Sequence, residues 1–317
     1  MKSILIAGGT GFLGRRLIGY LQNAGYDITL LTRRPETAPP GLRVLTWDGR
    51  TAGNWSAALD GAYAVINLAG RSVNCRYNAR NRELILNSRV ESTRVIGQAV
   101  ASCSTPPTVW LNASTATIYR HNFGPAWGED GEIGANPAAK DAFSIEVAVA
   151  WEDAFFRSET PATRRIALRS AMVLGCDKNS VLPMLRKLAR CGLGGSMAGG
   201  RQWVSWIHEV DFCRAVEWLI NDPALSGPVN VAAPNPVTNA ELMQTVRDVC
   251  GRRIGLPASR WMLEWGAVFL RTETELIIKS RRVVPKKLLA AGFEFRFPKL
   301  RAAVEDLNRQ LAGSERR

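Results

Sequence analysis

The stretch SILIAGGTGFLGRRLIGYLQNAG (3–25) decides the fold. SILIAG (3–8) is a short apolar run ending in glycine, the signature of a buried strand. GFLGRRLIGYLQNAG (11–25) has helical periodicity, and Gly25 suits its C-terminal cap. Between strand and helix, Gly8, Gly11 and Gly14 form a G-x-x-G-x-x-G turn. Glycines at this spacing let the backbone turn tightly and approach a pyrophosphate, whose charge then sits at the helix N-terminus. The context is complete, so the stretch predicts a dinucleotide site.

The second strand indicates which nucleotide. An NAD-preferring site places Asp or Glu about 20 residues beyond the glycines, on the ribose 2′-hydroxyl. Here the segment is LLTRRP, with Arg33 and Arg34 and no acid before Glu36. A guanidinium fork matches a 2′-phosphate, so NADP(H) is the expected cofactor.

Outward from the turn, DITLLTRR (27–34), LRVLTW (42–47), YAVINLAG (63–70), PTVWLNAS (107–114) and RRIALRSAMVLG (164–175) read as strands. A long helix is expected over 79–102 and another over 141–155, where Phe143, Val147, Trp151 and Phe155 recur every four residues. Apolar strands alternating with helices predict an α/β fold with a doubly wound parallel sheet. After residue 175 the pattern changes. GLGGSMAGG (192–200) reads as a glycine-rich loop and 201–220 as a strand leading into a helix. Helices are expected at 238–251, with Thr238 as N-cap and Glu241 at the capping-box position, at Trp261 to Leu276, and at 298–311. The division expected is a nucleotide-binding domain over 1–175, parts of 200–235 returning to its sheet, and a smaller α+β substrate lobe over 176–317.

Composition narrows the function. No window approaches the roughly 18 apolar residues of a membrane span. Six scattered Cys without a C-x-x-C pair, and two His, argue against a zinc site or a disulfide framework. No metal is expected, and a reducing cytoplasm is the expected compartment. The net charge of +13 fits nucleic acid, an anionic substrate, or no more than solubility. Its densest run, KSRRVVPKK (279–287), comes without a nucleic-acid docking motif, which argues against DNA or RNA and for a small-molecule substrate. Monomer and homodimer are both compatible with this chain.

Taken together, GGTGFLG, VINLAG, LNSRVEST, ASTATIY, ALRSAMVLG, GLGGSMAGGRQWVSWIH, GPVNVAAPNPVTN and SRRVVPKKLLAAGFEF resemble the extended short-chain dehydrogenases/reductases, in their atypical "epimerase family" branch. The resemblance covers residues 8 to about 298. It implies an NADP-binding Rossmann domain with a small C-terminal lobe over the cleft. The residues expected around the cofactor are Gly8, Thr10, Gly11, Phe12, Leu13, Gly14, Arg33, Arg34, Asp48, Leu68, Ala69, Gly70, Arg89 and Ala113.

The resemblance also implies that Thr115 or Ser114 polarises a substrate carbonyl and that a Tyr-x-x-x-Lys pair stands on the next helix. That helix offers Phe143 and Val147, or Ser144 and Ala148 one residue on, and neither register restores the pair. The candidate proton carriers are therefore Tyr119, in front of Arg120 and His121, and His208. Strand alternation sets Gln202, Trp206 and His208 on one face. Arg76 and Tyr77, beside Cys75, are expected to line the cleft, and Arg201, Trp206 and Arg282 to contact substrate. Two functions fit: an NADP(H)-dependent oxidoreductase or epimerase-like enzyme on a small polar, anionic molecule, or a non-catalytic NADPH-binding sensor.

Overall fold

In the computed structural model, which describes residues 1–264 and 273–315, the first six strands are β1 (Ser3–Ala7), β2 (Asp27–Thr32), β3 (Arg43–Thr46), β4 (Ala64–Asn67), β5 (Val109–Thr115) and β6 (Arg164–Ser170). Five short strands complete the set: β7 (Met172–Leu174), β8 (Trp203–Val204), β9 (Trp206–His208), β10 (Gly227–Val231) and β11 (Val237–Thr238). Seven of the eleven build one parallel sheet, in the order β10-β6-β5-β4-β1-β2-β3.

Side chains alternate across this sheet and feed two separate cores. Ile4 and Ile6 face one side, with Leu17, Ile18 and Leu21 of α1 (Phe12–Asn23) and Phe212, Val216 and Leu219 of α5 (Glu209–Asn221). Leu5 and Ala7 face the other, with Val95, Ile96 and Val100 of α2 (Ala79–Ala101) and Phe155 of α3 (Ala142–Phe156). Each such fully buried aliphatic side chain contributes roughly 1.5–3 kcal/mol, so both helical layers are tied to the sheet by the same alternation. Helix α1 ends as expected. Gly25 takes φ +86° just beyond the last turn, and the Tyr26 N–H reaches back to the Leu21 carbonyl at 3.1 Å.

One expectation about the strands needs correction. The run 164–175 is not one strand: β7 leaves the main sheet after Ala171 and pairs in parallel with β9. The Phe143–Val147 part of the α3 stripe packs on Ile85 and Leu86 of α2 and on the 73–77 loop, while only Phe155 reaches the core beneath the sheet, against Trp110.

The smaller lobe packs α4 (Val181–Arg190), α6 (Asn239–Val249) and the final helix Leu300–Ser314 around Trp206 and Val204. Thr238 caps α6 through the Glu241 N–H, at 3.2 Å. The helix expected over Trp261–Leu276 is not continuous: residues up to Glu264 are helical, residues 265–272 lie outside the described residues, and Glu273 and Thr274 are not helical, Thr274 being the N-cap of a separate short helix, Glu275–Ile278. No helix among the described residues is long and apolar enough to cross a membrane.

Candidate functional site

The sheet order reverses between β1 and β4, whose ends Ala7 and Asn67 lie in register. Loops leaving such a switch point diverge and leave a crevice where ligands bind. The first loop is the glycine turn. Gly8 takes φ +76°, and a Cβ there would fall 2.6 Å from the Ala69 nitrogen and the Leu68 carbonyl carbon. Turn and 68–70 loop are thus pressed together. A Cβ on Gly14 would fall 2.4 Å from the Gly9 Cα, so that glycine lets α1 close on the turn. Gly11 differs: a Cβ there has nothing nearer than the Gly8 oxygen at 3.8 Å. Gly11 is the N-cap of α1 and no side chain caps the helix, whose first turn holds no acid. Open space over uncapped N–H groups is what a pyrophosphate requires.

Beneath this cradle lies a buried network. The Asn67 Oδ1 accepts from the Ala69 N–H at 3.0 Å, and its Nδ2 donates to Asn112 at 2.8 Å and Thr93 at 3.3 Å. The Trp151 Nε1 donates to the Thr93 hydroxyl at 3.0 Å. Satisfied buried amides of this kind hold the 68–70 loop rigidly. Arg33 and Arg34 stand exposed beyond β2, their guanidinium groups without an ion-pair partner among the described residues. Arg89 lies beside Gly70 and donates to the Arg71 and Ile85 carbonyls, both at 3.0 Å. Asp48 is exposed and accepts from the Arg50 and Thr51 N–H groups, both at 2.8 Å; these hold its carboxyl at about 2, so it is ionised.

At the end of β5, Ala113 and Thr115 are partly exposed, and the Thr115 hydroxyl accepts from the Thr117 N–H at 3.1 Å. A cavity of about 310 Å³ has a lining that includes His121, Phe123, Arg201, Gln202, Arg260 and Ile278. Arg201 has no ion-pair partner among the described residues. Arg260 donates to the Ala138 carbonyl at 3.2 Å and lies 3.8 Å from Glu264. The His121 Nδ1 accepts from the Ser280 N–H at 2.9 Å, so in the neutral ring its proton is on Nε2. Two guanidinium groups and an imidazole beside apolar Phe123 and Ile278 suit a small anion with an apolar part.

Comparison with known proteins places this geometry. Residues 4–232 match the model of the NAD dependent epimerase/dehydratase family, and residues 258–307 match a domain of unknown function, DUF1731. The chain belongs to the NAD dependent epimerase/dehydratase family. It is 30% identical to the human epimerase family protein SDR39U1 over 96% of this chain and 99% of the relative. The Bacillus subtilis epimerase family protein YfhF is 30% identical over 96% and 97% of the two chains. The crystal structure of human SDR39U1 isoform 2 with NADPH superposes with a TM-score of 0.85 at 30% identity, covering 98% of this chain and all of that one.

Within this family frame, several expected site residues lie elsewhere. Tyr119 is no cleft acid. It is fully buried, its hydroxyl donating to Asn230 at 2.8 Å and accepting from Arg169 at 2.9 Å, in a network continued by the Arg169–Glu152 pair at 2.7 Å. Burial pushes its pKa up. Trp206 is a core residue of the smaller lobe, its indole bonded to the Asn235 carbonyl at 3.0 Å. Arg282 stacks on Trp203 at 4.0 Å and donates to the Gly124 carbonyl at 2.9 Å, so its guanidinium is used in packing. Arg76 is exposed at the loop edge, 3.8 Å from Glu273. Tyr77 is brought against α3, edge-on to Phe143 at 5.0 Å.

His208 is not a proton carrier of the cleft either. It caps α5, accepting from the Val210 N–H at 3.0 Å, stacks on Phe297 and places Nε2 3.3 Å from Asp306. Burial lowers its pKa to about 4, against the pull of Asp306 and Asp211. The folded-state value lies below the unfolded one of about 6.5, so the unfolded chain binds the proton first. The stability contribution, on the order of 3 kcal/mol, is full above pH 6.5 and lost as the pH falls towards 4. Chemical denaturation at stepped pH should show a smaller loss over that window in His208→Asn, whose side chain can keep the cap. Equal acid sensitivity in the variant would refute the assignment.

Residues without any local signal in the sequence also meet here. Asp141, Ser144, Glu275, Lys279 and Arg281 come together where α3 begins. The Lys279 Nζ lies 2.6 Å from the Asp141 Oδ2 and donates to the Thr117 carbonyl at 2.6 Å, with both ionic side chains buried.

Proposed function

We propose that the chain is an NADP(H)-dependent oxidoreductase or epimerase-like enzyme acting on a small polar, anionic substrate. The observation that carries the cofactor reading is the open Gly11 position over the uncapped start of α1, next to a β2 end with two uncommitted arginines and no acid. The NADPH in the SDR39U1 structure supports it. In this reading Gly8, Gly11 and the α1 N-terminus hold the pyrophosphate, Arg33 and Arg34 the 2′-phosphate, and Leu68–Gly70, Arg89 and Ala113 the remainder. The bound nicotinamide supplies hydride chemistry. Thr115 polarises the reacting carbonyl, and the cavity bounded by His121, Arg201 and Arg260 holds the anionic group.

A guanidinium–phosphate contact contributes about 1.5–3 kcal/mol. Arg33→Ala should therefore weaken NADPH binding roughly 10- to 100-fold and leave NADH affinity nearly unchanged. Titration of cofactor fluorescence measures both, and an unaltered preference would remove the 2′-phosphate assignment. Catalysis itself is tested by incubating the protein and NADPH with carbonyl compounds and nucleotide sugars, scored by NADPH consumption or product isomer. One observation favours a second reading as a sensor: α3 carries no Tyr-x-x-x-Lys pair. Tight NADPH binding without turnover, and a protein partner captured only in the NADPH-bound state, would establish that reading instead.

A further inference from the structure

The polar groups lining the cavity of His121 have their donor or acceptor character fixed by the bonds they make elsewhere. The His121 Nδ1 takes the Ser280 N–H at 2.9 Å, so the ring proton is on Nε2, which has no partner among the described residues. A second proton, on Nδ1, would set two N–H groups against each other. Burial lowers the pKa of the ring, against the pull of Asp141 and with the push of Lys279. His121 therefore faces the cavity as a neutral donor.

Arg201 is exposed and makes no hydrogen bond or ion pair among the described residues. Arg260 spends one Nη on the Ala138 carbonyl at 3.2 Å and leaves the other without a partner among the described residues. Glu264, 3.8 Å from the Arg260 Nε, is held more closely by Lys140, at 3.3 Å. Both guanidinium charges thus remain for a ligand. Gln202 has the opposite polarity. Its two amide hydrogens go to the Met197 carbonyl at 2.9 Å and the Ile277 carbonyl at 3.2 Å. Its Oε1 has no partner among the described residues and is not sealed from solvent, so it opens to the cavity as an acceptor.

We infer that this cavity binds a hydroxycarboxylate with an apolar body. The carboxylate meets Arg201, Arg260 and the His121 Nε2–H, a hydroxyl donates to the Gln202 Oε1, and the apolar part lies on Phe123 and Ile278. The inference deepens the reading of this cavity as the seat of the anionic group, and rests on that reading for the ligand's role as substrate. Two carboxylate oxygens are satisfied by two guanidinium groups and one N–H. A phosphate would bring a further acceptor oxygen and a second charge against the Gln202 Oε1 and the apolar wall, where nothing donates. A ligand hydroxyl supplies the donor that Oε1 lacks, and a ligand without one leaves that acceptor unpaired in the complex.

Small probes separate these contacts. In protein carrying ¹⁵N-labelled histidine, the ring signal lost in His121→Gln reports on the cavity, since the other histidine, His208, is fully buried. Without NADPH present, mandelate should shift the His121 Nε2–H signal. Phenylacetate, which lacks the hydroxyl, should bind roughly 2- to 10-fold more weakly, and benzyl alcohol, which lacks the carboxylate, at least about 10-fold more weakly. Arg201→Ala, a change at an exposed position, should keep the melting temperature and weaken mandelate binding roughly 10- to 100-fold. No shift at His121, equal affinity for mandelate and phenylacetate, or unaltered affinity in Arg201→Ala overturns the inference. So does an equal response to sulfate at matched ionic strength, which would mark general attraction to a chain of net charge +13. NADPH is titrated separately: its failure to bind or be consumed would sink the enzyme reading, and with it the ligand's role as substrate, while leaving the mandelate result in place.

Discussion

Gly11→Val is expected to melt at the parental temperature and to lose NADPH affinity by roughly 100-fold or more, equivalent to about 2.7 kcal/mol. The position tolerates a side chain as far as the protein is concerned: its φ of −75° is ordinary, and a Cβ meets only the Gly8 oxygen at 3.8 Å. The space it fills is the approach to the first N–H groups of α1, where each charge-assisted hydrogen bond to a phosphate is worth about 1.5–3 kcal/mol. Gly14→Val is the opposite case. Its Cβ would fall 2.4 Å from the Gly9 Cα and 2.6 Å from the Gly9 carbonyl carbon, both backbone atoms that no rotamer change can clear. That variant should lose at least about 1–3 kcal/mol of stability, whether or not nucleotide is present. Scanning calorimetry and NADPH titration on the two proteins separate the effects. A Gly11→Val protein that binds NADPH normally would show that the pyrophosphate does not use this turn.

Lys279→Met should be the most damaging single change outside the sheet. It strands Asp141, a fully buried carboxylate whose Oδ2 has Lys279 at 2.6 Å and whose Oδ1 accepts from the Asn136 N–H at 2.7 Å. Leaving a buried charge without its counter-ion costs about 3–5 kcal/mol, a fall of roughly 5–15 °C in melting temperature for a chain of this size. Adding Asp141→Asn removes the charge and keeps an oxygen for Asn136, so the double variant should regain most of the loss. If the double variant melts as low as the single one, the pair's role is packing, and its charges are incidental.

The parts of this molecule that are legible in its sequence are those written locally. A strand, a glycine turn and a helix occupy consecutive residues, and the alternation of Ile4 and Ile6 against Leu5 and Ala7 is visible without a partner. Helix α4 is harder to see although Leu182, Leu185 and Ala189 carry the helical spacing, because Pro183 and three basic residues interrupt the run. The fate of Tyr119 and His208 is harder still. Each stands in a motif at the end of a strand, and the side it faces is set by the residues next to it: the short turn Ala116–Ile118 carries Tyr119 inward, and His208 is consumed in capping α5. The acids Glu209 and Asp211 in the first turn of that helix are the available hint of a cap. The Ser144–Glu275 contact has no local signal at all. Ser144 and Glu275 are separated by 131 positions, and only the return of the smaller lobe over α3 brings them together.

That return has a further meaning for how such a chain could be rebuilt by recombination. The segment 279–283 is stitched to both halves: Lys279 to the Thr117 carbonyl, the Ser280 N–H to His121, its hydroxyl to the Asn122 carbonyl, and the Val283 N–H to the hydroxyl of Ser205 at 2.7 Å. The C-terminal portion is therefore no detachable cassette. Exchanging it for that of a distant relative would orphan buried donors and acceptors on the nucleotide-binding half, so the two portions are bound to change together in evolution and in design.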